Sequence, residues 1–144
     1  MMQSPTNATL IVASAFSACA AMVHFACVFR GASCFRRLGA GDRFIRLISQ
    51  GHWYPRFFTF MVGLFLSLWS LYALSGAGVI SRLPLINSVL IAITTVYLLR
   101  AISFPILKSY ITGNSDTFWY VSSSISLVVG LFHLVGIVQV WKSL

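Results

Sequence analysis

Four apolar runs alternate with short polar segments along the chain. Residues 9–29, 57–75, 85–104 and 118–140 are each long enough to cross a hydrocarbon core of about 30 Å at 1.5 Å rise per residue. None carries an acidic residue, and only the third carries a cation, Arg100. The pattern predicts an all-α integral membrane protein of four transmembrane helices in an antiparallel bundle. No internal repeat or low-complexity linker divides it, so residues 1–144 read as one domain.

The polar segments carry the punctuation. Gly76-Ala77-Gly78 and Pro84 bound a short connection that makes the second and third spans an antiparallel hairpin. Pro105 stops or kinks the third span. The run 112–116 is a loop in which Ser115 or Asp116 caps the fourth span. Trp119 and Tyr120 at one end of that span, and Trp141 with Lys142 at the other, are interfacial anchors.

The longest polar segment, 30–56, contains its own helical pattern. Phe44, Ile45, Leu47 and Ile48 fall on one side of a helix, Arg43, Arg46 and Gln50 on the other. Asp42 serves as N-cap and Gly51 as terminator. This predicts a short amphipathic interfacial helix between the first two spans, with its apolar side in the acyl boundary and its arginines among phosphates. His52, Trp53 and Tyr54 follow at headgroup depth, and Pro55 suits the first turn of the next helix.

Composition agrees with a membrane protein: 58 % apolar residues, 8 % charged and a mean hydropathy of +0.89. The net charge of +8 does not call for nucleic acid, because the cations flank apolar spans where topology and anionic headgroups account for them. Arg30, Arg36, Arg37, Arg43, Arg46 and Arg56 all lie in 30–56, and short basic loops stay on the cytoplasmic side. Counting spans from there puts Arg100 and Lys108 inside as well, leaving only Arg82 and Lys142 outside. Both termini are then periplasmic, in the inner membrane of a bacterium. No basic residue precedes the first run, so a cleaved leader is not expected despite a loose lipoprotein-box likeness at Phe16-Ser17-Ala18-Cys19. The sequon at Asn7 abuts the membrane and carries little meaning.

Arg100 is the most informative polar residue. A guanidinium in an apolar segment costs about 2.5–3.5 kcal/mol at a helix centre, so its charge must be accommodated. Either it snorkels to cytoplasmic phosphates beside Tyr97, or it holds an anion, a lipid headgroup or a partner within the bundle. With Arg43 and Arg46 on the same side, a possible ligand is an anionic lipid.

His24 and Cys27 share a face of the first helix but are too few for zinc, and His133 lies at another depth, so neither metal nor haem is expected and no cofactor is assigned. The intramembrane histidines then serve as hydrogen-bonding groups between helices. Cys19, Cys27 and Cys34 form no C-x-x-C and leave an odd thiol, so a structural disulfide is not expected. Ser122, Ser126, Gly130 and His133 make a stripe on the fourth helix, and Ala13, Ser17 and Ala21 make another on the first. Small residues admit close helix approach, so these are packing or partner faces.

The only carboxylates, Asp42 and Asp116, suit helix caps, and no nucleophile–base pattern is present, so catalysis is not expected. By elimination the chain is a non-catalytic membrane protein that binds a partner within the bilayer. In scale and basic character it is similar to small polytopic immunity proteins, which protect bacteria against membrane-inserting toxins. The likeness is one of architecture and carries over no site; it implies lateral binding of a toxin's hydrophobic segment, with the small-residue stripes as contact. The alternatives are an accessory or anionic-lipid-binding subunit of a transport or envelope system, and a small haem or redox protein built on the histidines.

Overall fold

The computed structural model describes residues 6–142. Among them all regular structure is helical: α1 (Ala8–Arg30), α2 (Ala32–Arg37), α3 (Asp42–Ser49), α4 (Trp53–Gly76), α5 (Ile86–Ile102), α6 (Phe104–Tyr110) and α7 (Asp116–Val140). Helices α1, α4 and α7 are each long and apolar enough to cross a membrane, and α5 with α6 makes a fourth if that bent pair is counted as one span. The expected spans 9–29, 57–75 and 118–140 fall within α1, α4 and α7.

The third span divides where Pro105 required it to. The Ser103 amide bonds the Leu99 carbonyl at 2.9 Å and closes α5, and the Leu107 amide bonds Ser103 at 2.9 Å and opens α6. The axis bends by 68° between them. Pro105 thus occupies the first turn of α6, where its missing N–H leaves no partner unmet.

Packing follows side-chain size. Helix α1 packs most extensively on α4, α5 on α7, and α1 also on α7. Helices α4 and α5, joined by the short connection, touch far less than either touches its main partner. Trp69 and Tyr97 meet edge-on between them, ring centroids 5.2 Å apart, and bulky rings keep backbones from closing. On α1 the buried positions are Leu10, Ala13, Ser14, Ser17, Ala21 and Cys27, a narrow stripe of mostly small side chains. The core against it is built from Leu66, Leu90, Ile93, Tyr97, Val129 and Ile137.

The ends of the helices are tied in two groups. At one end Asn7 caps α1 by accepting from the Leu10 amide at 2.8 Å, its amide nitrogen donates to Gln139 at 2.8 Å, and its backbone N–H reaches Ala77 O at 3.0 Å. At the other, the Gly41 amide donates to Asn114 Oδ1 at 2.6 Å and the Ser115 amide to Gly39 O at 3.1 Å. The loop between α2 and α3 therefore docks on the turn before α7. Ser115 caps α7 through the Phe118 amide, at 3.1 Å. Asp116, the first residue of α7, pairs instead with Lys108 at 2.8 Å on the surface. The outermost terminal residues, on which the orientation of both ends was expected, lie outside the described residues.

Three expectations for residues 27–56 are corrected. Gly41, not Asp42, is the N-cap of α3; Asp42 is its first helical residue, where its charge still faces the positive helix end. The apolar face of α3 is turned onto the protein rather than outward to acyl chains: Ile45 and Ile48 are buried with Cys27 and Phe35. A second short helix, α2, supplies that surface, and it escaped notice because six residues are too few for a period to show. The C-terminal end of α3 is as expected, with Gly51 at φ +81° donating to Ile48 O and His52 to Leu47 O.

The third correction is a disulfide. Cys27 and Cys34 are joined, with their Cα atoms 5.1 Å apart. Spacing gave no hint of it, because the geometry comes from Gly31: at φ +68° it ends α1 and reverses the chain into α2, bringing the two Cβ atoms together. Cys19 is a free, outward-facing thiol.

Candidate functional site

Arg100 stands in the last turn of α5, half-buried, and points across to the first turns of α7. One terminal nitrogen donates to Ser123 Oγ at 3.1 Å and the other to Ser122 Oγ at 2.9 Å. Its guanidinium carbon lies 5.2 Å from the centroid of the Trp119 ring, a cation–π contact. Ser122 passes its own proton to the Trp119 carbonyl at 3.4 Å, so it can accept from the arginine without conflict. The charge is therefore directed into a pocket of α7 instead of lying along α5 toward bulk solvent. No carboxylate joins it: the chain's two are Asp42, at the head of α3, and Asp116, on Lys108.

Trp119 is 2 % exposed, and its indole Nε1 has no hydrogen-bond partner. An arginine has five N–H donors and no acceptor, and an indole has one donor and no acceptor. The hydroxyls of Ser122 and Ser123 are the acceptors this cluster supplies. Beside Ser123 a cavity of about 150 Å³ opens between α5–α6 and α7, lined by Ala101, Ile102, Phe104, Tyr120, Ser124 and Leu127.

A second polar group lies deeper. Tyr97, expected beside Arg100, has different partners: its hydroxyl is 2.9 Å from Ser17 Oγ and its ring stacks on His133 with centroids 5.4 Å apart. His133 is fully buried. Its Nδ1 bonds the Val129 carbonyl at 2.9 Å, and a carbonyl only accepts, so Nδ1 carries the proton and Nε2 offers a lone pair with no partner. Ser14 and Ser70 bond each other at 2.7 Å, tying α1 to α4. These contacts join helices side to side in the manner of polar groups within a membrane.

The stripes of small residues face inward. Ala13, Ser17 and Ala21 are buried, as are Gly130 and His133, while Ser122 and Ser126 are partly covered. A Cβ at Gly130 would stand 2.8 Å from Leu98 Cδ2 and 3.2 Å from Tyr97 Cβ, so the glycine sets how closely α7 approaches α5. These positions are helix-packing faces inside the bundle, where α1 packs on α4 and α7, and α7 on α5. Arg43 and Arg46 are exposed on the outer side of α3.

His24 bonds the Ala20 carbonyl of its own helix at 2.7 Å. It does not meet His133, which through Tyr97 is level with Ser17, seven residues or about 10 Å along α1. Among the described residues no group of three or more His, Cys, Asp or Glu side chains is placed to hold a metal ion.

Sequence reasoning passed over Trp119 as a belt residue and did not single out Ser123, Ser14, Ser70 or Gly136. The last lies so close to α1 that a Cβ would stand 2.7 Å from Leu10 Cδ2. Spacing offered a signal for two of them: Ser123 and Trp119 are four residues apart and so share a face of α7. No family model matches the chain, and no curated protein or solved structure matches it.

Proposed function

We propose that this chain is a non-catalytic, multi-pass protein of a bacterial inner membrane that works by binding a partner within the bilayer, in an immunity role against a membrane-inserting toxin. The membrane part of the reading is carried by the division of the surface. Large apolar side chains face outward along the long helices, among them Val12, Phe16, Phe65, Leu68, Leu131 and Val138, while serine, threonine and histidine side chains such as Ser14, Ser17, Ser70, Thr94 and His133 are buried inside among the core residues. That is the arrangement of a protein whose surroundings are hydrocarbon.

The four long segments then form antiparallel spans. Helix α5, 17 residues or about 25 Å, is the third, with α6 lying along the surface after the bend. The charge bias puts the arginine-rich end in the cytoplasm. Because the small-residue stripes are occupied by internal packing, a toxin segment would meet the outward faces of the spans. The protective role rests on likeness in scale and basic character to small immunity proteins, and it is tested directly. Cells lacking the chain are exposed to the product of its neighbouring gene while membrane potential is followed with a voltage-sensitive dye. Depolarisation that supplying the chain abolishes supports protection; no depolarisation, or none rescued, rejects it.

A second reading, an accessory subunit that holds anionic lipid, is favoured by one specific observation: a half-buried Arg100 with no carboxylate partner.

A further inference from the structure

We propose that Arg100, Trp119, Ser122 and Ser123 form a site for the phosphate group of a membrane phospholipid, held at the arginine-rich end between α5 and α7. The inference deepens the lipid reading above and rests on it.

The argument starts from donors without acceptors. Arg100 spends one N–H on each of two serine hydroxyls, at 3.1 and 2.9 Å, which leaves three of its five. The indole N–H of the tryptophan on which it rests is buried and unpartnered. Burying donors unmet is unfavourable, and more so beside a full positive charge in a low-dielectric setting. A carboxylate would meet the arginine's remaining N–H groups, but the chain's two carboxylate side chains are placed elsewhere. The missing component is therefore an oxyanion with several acceptor oxygens, and a phosphate matches a planar guanidinium fork.

The position of the site selects the source. Arg100 is in the last turn of α5 and Trp119 in the first turn of α7, the depth at which headgroup phosphates lie if these helices cross the bilayer. Ser123 belongs both to the arginine's coordination and to the wall of the 150 Å³ cavity. The other walls of that cavity include Ile102, Phe104 and Leu127, and Ile102 is exposed beside it. A phosphate on Arg100 attached to an acyl chain in this groove would occupy both; a free phosphate would leave the apolar part to chance lipid.

The test is native mass spectrometry of the full chain, delipidated in detergent, with phosphatidylglycerol, diacylglycerol or inorganic phosphate added separately. Phosphatidylglycerol should give a retained adduct and diacylglycerol none. Arg100→Gln should weaken the adduct about tenfold or more, and Trp119→Phe, which keeps the ring and removes the N–H, severalfold. The Trp119→Phe variant keeps the proposal testable if Arg100→Gln fails to fold. Full retention in both variants, or an equal loss in Arg43→Gln/Arg46→Gln on the exposed face of α3, overturns it. Displacement by inorganic phosphate alone overturns the lipid source and assigns a free anion. Carbonate extraction of membranes separates the failures: a chain released from the pellet fails the membrane reading, whereas a retained chain without the adduct fails this site.

Discussion

The hydroxyl of Tyr97 and Oγ of Ser17 lie 2.9 Å apart, a bond between α5 and α1 across 80 residues of chain. Tyr97 is also the ring on which Trp69 abuts and His133 stacks, so contacts from α1, α4, α5 and α7 converge there. Tyr97→Phe removes the hydroxyl and keeps the rings. It should lower stability in detergent by about 0.6 kcal/mol, the mean for hydrogen bonds between membrane helices. A double-mutant cycle with Ser17→Ala, followed by denaturant titration, measures the coupling; additive losses would mean the pair contributes nothing as a pair.

Close helix approach gives a larger effect. A side chain at Gly136 would enter the space of Leu10, and one at Gly130 that of Leu98. Gly136→Leu and Gly130→Leu should each destabilise the protein by about 1–3 kcal/mol through overpacking. Leu131→Ala, on the outward face of the same helix, should be close to neutral. Thermal unfolding in detergent compares the three, and equal effects would argue against this packing.

At the arginine-rich end, Ile45 and Ile48 bury themselves on Phe35 and Cys27. Ile48→Ala should cost about 2–5 kcal/mol locally, as for other buried aliphatic truncations. Amide exchange in α2 and α3 should then accelerate while α1, α4 and α7 remain protected. Arg43→Ala, on the exposed side, should leave exchange unchanged. If Ile48→Ala did the same, α3 would be resting on something other than the protein.

Orientation is tested by two features that pull in opposite directions. Basic loops stay in the cytoplasm, whereas disulfides persist in oxidising compartments, and the Cys27–Cys34 bridge sits at the basic end. In the proposed topology the six arginines of residues 30–56 hold the basic end in the cytoplasm. Alkaline phosphatase fused after Leu144 should therefore be active, and acid-quenched alkylation of cells should find Cys27 and Cys34 as thiols that join on aerobic purification. An inactive fusion with an intact bridge in cells would invert the molecule.

What the sequence determined by itself was the all-helical character, the long apolar helices and several of the signals that end them. Uninterrupted apolar length, Ser115, Gly51 and Pro105 act locally, and a local cause is visible in a local window. It also marked Arg100 as the residue whose charge needed accommodating. The tertiary structure decided the partners. That Arg100 turns to Trp119, Ser122 and Ser123 and not to Tyr97, that α5 pairs with α7 more than with α4, and that the small-residue stripes lie inside depend on how helices rotate about their axes. Every face of these spans is apolar, so hydrophobic pattern carries no information about rotation; side-chain volume and a few interhelical hydrogen bonds set it. The Cys27–Cys34 bridge and the inward face of α3 belong to the same class, because each follows from the reversal of the chain at Gly31.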